Sequence, residues 1–96
     1  MKPFPFDTAK LIDVCRQNDV VKIGVFGSAA RGEDNEASDI DLIVAFSKRK
    51  SLLSLVALER QLEYAIGRRV DLVTDAALSP YLRDRILNEV RVVYEA

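Results

Sequence analysis

Two apolar runs of strand length, Val20–Phe26 and Ile40–Phe46, frame this chain, and the stretch between them is polar and turn-rich. That connection begins Gly27-Ser28-Ala29-Ala30-Arg31-Gly32, passes through an acidic loop from Glu33 to Ser38, and meets the second run at Asp39-Ile40-Asp41. Side chains alternate across a strand, so Asp39 and Asp41 leave one face together while Ile40 points the other way. Carboxylates crowded on one face repel each other and require a compensating cation. Hard oxygen donors at this spacing suit Mg²⁺, which takes one or two protein carboxylates, keeps waters and accepts phosphate oxygens. The Gly27-Ser28 turn supplies the complementary half of a phosphate site. If a short helix begins at Ser28, the amides of its first turn are unpaired and carry partial positive charge. Gly27 permits a sharp turn and a close phosphate approach. Ser28 can cap the helix and offers a hydroxyl donor. Arg31 adds a positive charge one turn on, and Gly32 can end the helix. The pattern predicts a metal-and-nucleotide site.

Composition narrows the chemistry. The 96 residues suit one domain, residues 1–96, with a single core and no second substrate-binding lobe. Fifteen acids against 14 bases leave a net charge of −1, which argues against a broad basic surface for nonspecific nucleic-acid binding. Histidine is absent, so no imidazole serves as base, nucleophile or zinc ligand. Cys15 has no partner for a disulfide or a thiolate cluster, and its place on the apolar side of a helical pattern predicts a buried filler. No apolar run approaches the roughly 20 residues that cross a membrane. The start, Met-Lys-Pro-Phe-Pro-Phe, lacks the apolar stretch of a signal peptide, so a cytoplasmic protein is expected.

The remaining elements follow from periodicity and caps. Asp7 can cap a helix over residues 8–18, with Leu11, Ile12, Val14 and Cys15 on its apolar face. Ile40–Phe46, apolar almost throughout, predicts a central strand covered on both sides. Lys48-Arg49-Lys50 reads as a solvated connection, and Ser51 can cap a helix over 52–66 that stops at Gly67. Arg69–Val73 predicts a third strand. Ser79-Pro80 opens a helix to about Glu89. Val90–Tyr94 predicts a last strand or an extension of that helix, with Val92-Val93-Tyr94 in the core. The order α-β-α-β-α-β-α-β places helices against a sheet.

Gly27-Ser28 followed by Asp39-Ile40-Asp41 resembles the signature of the DNA polymerase β-like nucleotidyltransferase superfamily. The fuller form, Gly27-Ser28-x-x-Arg31-Gly32 and then Ser38-Asp39-Ile40-Asp41-Leu42, is similar to the minimal nucleotidyltransferases, or MNT proteins. The resemblance implies an α/β (α+β) nucleotidyltransferase fold, a mixed sheet of about four strands with the site at one sheet end. It also implies a third acid on a neighbouring strand. Asp71 is the candidate, since it interrupts an apolar strand where an unpaired charge is costly. Its alternative is a salt bridge to Arg68 or Arg69, and Asp75 is held in reserve. Ser38 is read as a turn residue, and Arg31 as a phosphate ligand or a partner of Glu33 or Asp34.

The chemistry implied is transfer of AMP from ATP to a hydroxyl. Asp39 and Asp41 hold Mg²⁺, Asp71 acts as general base or as ligand to a second metal, and Gly27, Ser28 and Arg31 hold phosphate. The partner implied is a helical HEPN toxin, modified on a tyrosine, with this chain as its antitoxin. Two alternatives stay open: an antitoxin that only masks its partner, and a small-molecule nucleotidyltransferase whose pocket needs a homo-oligomer or another domain.

Overall fold

In the computed structural model, which describes residues 4–96, the chain runs α1 (Thr8–Gln17), β1 (Val20–Phe26), α2 (Gly27–Arg31), β2 (Ile40–Phe46), α3 (Leu52–Ile66), β3 (Val70–Thr74), a 3₁₀ turn (Asp75–Ala77), α4 (Pro80–Glu89) and β4 (Arg91–Glu95). Met1, Lys2 and Pro3, part of the stretch read above for a leader, lie outside the described residues. Local chemistry sets most helix starts. The Asp7 carboxylate accepts the amides of Ala9 at 3.0 Å and Lys10 at 3.3 Å. Ser51 accepts the Ser54 amide at 3.1 Å and Ser79 the Tyr81 amide at 3.3 Å, satisfying donors that have no partner within the helix. Pro80 begins α4, where a missing N–H costs nothing.

The strands form one mixed sheet in the order β3-β2-β1-β4. β1 is antiparallel to β2 and β4, while β2 and β3 are parallel and need the crossover that α3 provides. β3 is therefore an edge strand with free amides. Glu63 accepts the Val70 amide at 3.0 Å and Glu59 the Leu72 amide at 3.3 Å, so α3 covers that edge. The final segment is a strand paired with β1, which settles the choice between strand and helix extension.

α1 and α3 close one face of the sheet. Leu11, Cys15, Ile23, Val25, Ile40, Leu42, Leu58 and Leu62 are all buried there, each large apolar side chain contributing about 1.5–3 kcal/mol on removal from water. Burial pushes the Cys15 thiol up to about 12, as fits an inert filler. Val93 and Tyr94 pack against this core, but Val92 is exposed.

The expectation that β2 is covered on both sides is wrong. The strand is interior to the sheet, yet its residues alternate between buried and partly open: Leu42 and Val44 are buried, Ile43 is half-buried and Ala45 exposed. The roof on this second face is α4, which buries none of its own residues. α4 meets the sheet near Gly24, where Val90 occupies the space a Cβ would need. Between them remains a groove of about 290 Å³ lined by Gly24, Ile43, Ala45, Leu87 and Val92 among others. The basic connection is partly structural: Lys50 pairs with Asp19 at 2.7 Å, while Lys48 and Arg49 are exposed. No helix among the described residues is long and apolar enough to cross a membrane.

Candidate active site

Strand register builds the site. Antiparallel pairing sets Phe26 opposite Asp41, so the turn at Gly27 begins level with that carboxylate. Gly27 has φ +71°, and a Cβ there would run into Oδ2 of Asp41. The position therefore demands glycine twice, for its left-handed backbone and for the space beside Asp41. α2 begins at Gly27 itself. The expected capping role of Ser28 does not hold: the cap position is Phe26, without a side-chain hydrogen bond, and Ser28 lies inside the first turn. The turn follows the strand so closely that no residue is left between them to serve as a polar cap. Gly32 ends the helix as expected, its amide reaching back to Ala29 and Ser28 carbonyls.

The parallel register of β2 and β3 sets Asp41 directly across from Asp71. Asp39 immediately precedes β2, and its charge reaches Asp41. Asp39 and Asp71 are exposed and Asp41 is half-buried. None of the three has an ion pair among the described residues. Burial holds the Asp41 carboxyl above its ordinary range, helped by the charges of Asp71, Asp39 and Glu89, with Arg31 opposing. The site is short of positive charge. No three His, Cys, Asp or Glu side chains among the described residues close into a metal-holding cluster. The donor set nevertheless fits Mg²⁺: hard carboxylate oxygens, an uncompensated like-charge neighbourhood, and an adjoining turn cleared of side-chain bulk.

The structure also sorts the alternatives. Asp71 does not pair with Arg68. Arg68 instead binds Asp34 at 2.9 Å and the carbonyls of Asn35 and Ser38 at 2.5 and 2.6 Å, tying the acidic loop to the foot of β3. Sequence reasoning missed this anchor, which holds the approach to Asp39. Ser38 is a turn residue, accepting the Asn35 amide at 3.1 Å. Asp75 falls in the 3₁₀ turn past the far end of β3 and binds Arg83 at 2.8 Å, so it leaves the candidate site.

Arg31 pairs with Glu33 at 3.0 Å and also reaches Glu89 at 3.2 Å. Glu89 was not singled out from the sequence. Its carboxylate accepts the Gly27 amide at 2.7 Å, bringing the end of α4 to the start of α2. The one available signal was an acid in the last helical turn, where the helix dipole disfavours it.

Known proteins place this geometry. The family profile described as "Polymerase beta, Nucleotidyltransferase" matches residues 9–96. The protein adenylyltransferase MntA of Thermococcus cleftensis is 46% identical over 71 residues, covering 74% of this chain and 72% of its own. A candidate protein adenylyltransferase of Methanocaldococcus jannaschii is 46% identical over 80 residues, 83% of this chain and 86% of its own. Among solved structures, a candidate minimal nucleotidyltransferase matches with TM-score 0.77 and 40% identity, over 88% of this chain and 86% of that one. A toxin–antitoxin structure with AMP-PNP matches with TM-score 0.80 and 25% identity, over 94% of this chain and 74% of that one. The fold, the Gly27-Ser28 turn beside Asp39 and Asp41, and these relatives agree: the chain belongs to the polymerase β nucleotidyltransferase family, among its minimal nucleotidyltransferases.

Proposed function

We propose that this nucleotidyltransferase transfers AMP from ATP to a hydroxyl of a protein partner, a tyrosine of a HEPN-type toxin, and thereby acts as its antitoxin. The observation that carries the reading is the pairing of Asp41 with Asp71 across β2 and β3, beside a glycine turn where only hydrogen fits. The adenylyltransferase name of the MntA relative and the AMP-PNP-bound toxin–antitoxin neighbour support it.

The residues divide the work. The Gly27 amide, the Ser28 hydroxyl and Arg31 hold the terminal phosphates of ATP and turn the α-phosphorus toward the acceptor. Asp39 and Asp41 would hold Mg²⁺, leaving Asp71 free to act on the acceptor. When bound, Mg²⁺ supplies positive charge at the phosphate oxygens and relieves the crowding of the carboxylates. Asp71, exposed on the neighbouring strand, takes the proton of the acceptor hydroxyl. The hydroxyl oxygen bonds to the α-phosphorus, the bond from that phosphorus to the β-phosphate's bridging oxygen breaks, and pyrophosphate leaves. Positioning and electrostatics dominate such a step, so a small number of side chains suffices.

Mass spectrometry of the co-expressed partner tests the reading. An added AMP on a partner tyrosine, lost with Asp39→Asn plus Asp41→Asn, is the expected result. Protection of cells by the double variant would contradict transfer as the mode of neutralisation and leave masking in its place.

A further inference from the structure

α4 ends on a carboxylate that the motif and the proposed reaction leave unused. Glu89 is the last residue of α4, where the negative end of the helix dipole disfavours an acid. Its compensation comes from outside the helix. Oε1 accepts the Gly27 amide at 2.7 Å, and Arg31 donates through one terminal nitrogen to Oε2 at 3.2 Å and Oε1 at 3.4 Å. Its side chain is only 26% exposed, against 65% for Glu33, the other acid that Arg31 meets. The donors it occupies are a turn amide and a guanidinium, a pair suited to oxyanions. They are also the groups assigned above to the triphosphate, and one amide N–H cannot serve both anions at full strength.

We propose that Glu89 is an internal anion standing in the place of a nucleotide phosphate, so that it competes with ATP and sets the protein's nucleotide affinity. The inference rests on the assignment of the Gly27 turn to the triphosphate. Release of the carboxylate is mechanically cheap. No residue of α4 is buried, so its last turn can adjust without uncovering core. The chain beyond it is pinned, because Val90 fills the space over Gly24. Movement is therefore confined to the Glu89 side chain and the turn that carries it. In the empty protein the carboxylate keeps the Gly27 amide and Arg31 satisfied and in place. In the bound protein it gives way to phosphate and no longer crowds Asp41.

Calorimetric titration with ATP, inorganic pyrophosphate and adenosine, on the full chain and on Glu89→Gln and Glu89→Ala, tests this. Glu89→Gln keeps an acceptor for the Gly27 amide without the charge, so it preserves the turn; thermal melts check that both variants are folded. The expected result is about tenfold tighter binding of ATP and pyrophosphate by Glu89→Gln, equivalent to about 1.4 kcal/mol, with adenosine unchanged. A purely structural role would give weaker binding in both variants, because Arg31 would lose its anchor. Unchanged or weaker ATP binding by folded Glu89→Gln overturns the proposal while leaving the nucleotide site standing. Failure of wild type and variants alike to bind ATP or pyrophosphate overturns both.

Discussion

The sheet face beneath α1 and α3 and the face beneath α4 are built from the same strands to opposite ends. On β2, Leu42 and Val44 point into a dry core while Asp41, Ile43 and Ala45 face the other way, toward a half-open surface. The first face has no buried polar or charged residue among the described ones. The second gathers Asp41, Asp71 and Glu89 with Arg31 and leaves the carboxylates in mutual repulsion. In a chain this small, one face supplies the folding free energy and the other carries the electrostatic strain of the proposed polyphosphate site. Substitutions on the two faces should therefore separate stability from activity.

The strongest test of that separation is Asp41→Asn. Removing this carboxylate should lower transfer by on the order of 10²–10³-fold, the scale of losing one preorganised electrostatic group. The same change should raise the Tm of the empty protein, because Asp41 is held above its ordinary range by burial and like charge. The sign of the accompanying pH effect follows. A carboxyl that binds its proton more tightly when folded adds stability at pH below its unfolded value, and that contribution is lost as pH rises through the folded value. Wild type should thus show a stability decrement over that window that Asp41→Asn lacks, measured by thermal melts across the acidic range.

On the opposite face, Leu62→Ala should cost about 2–5 kcal/mol by chemical denaturation, since Leu62 is fully buried. Nucleotide affinity of the molecules that remain folded should be unchanged. A matching loss of affinity would break the division between faces. Gly27→Ala is smaller in stability, about 1–2 kcal/mol for a left-handed backbone, but its Cβ runs into Asp41 and should weaken ATP binding as well. Ser51→Ala is the smallest, about 1 kcal/mol for a lost helix cap, with no effect on transfer.

How much of this was legible in the sequence depends on the range of the interaction. The strands, the caps at Asp7, Ser51 and Ser79, and the pairing of Asp39 with Asp41 are local, written in spacing and turn chemistry. Asp71 was legible as a charge inside an apolar strand, although its position across from Asp41 depends on a strand order that periodicity does not encode. The half-open face of β2 was misread, because an apolar run records burial without recording how loosely the covering helix sits. Ser28 was misread as a cap, because Gly27 itself enters the helix. The partners of Arg68 and Glu89 were not legible, for a simpler reason. Each acts on a segment far along the chain, and no local pattern marks an arginine for the loop before β2 or a glutamate for the Gly27 amide.

The most direct test of the central claim is to incubate the protein, Mg²⁺ and its partner with ATP labelled at the α-phosphorus or, in parallel, at the γ-phosphorus. The division of faces and the proposed chemistry predict label on the partner from the α-position alone, absent with Asp39→Asn plus Asp41→Asn even though that variant melts no lower than wild type. Label arriving from the γ-position, or from the α-position undiminished in the double variant, would contradict the account.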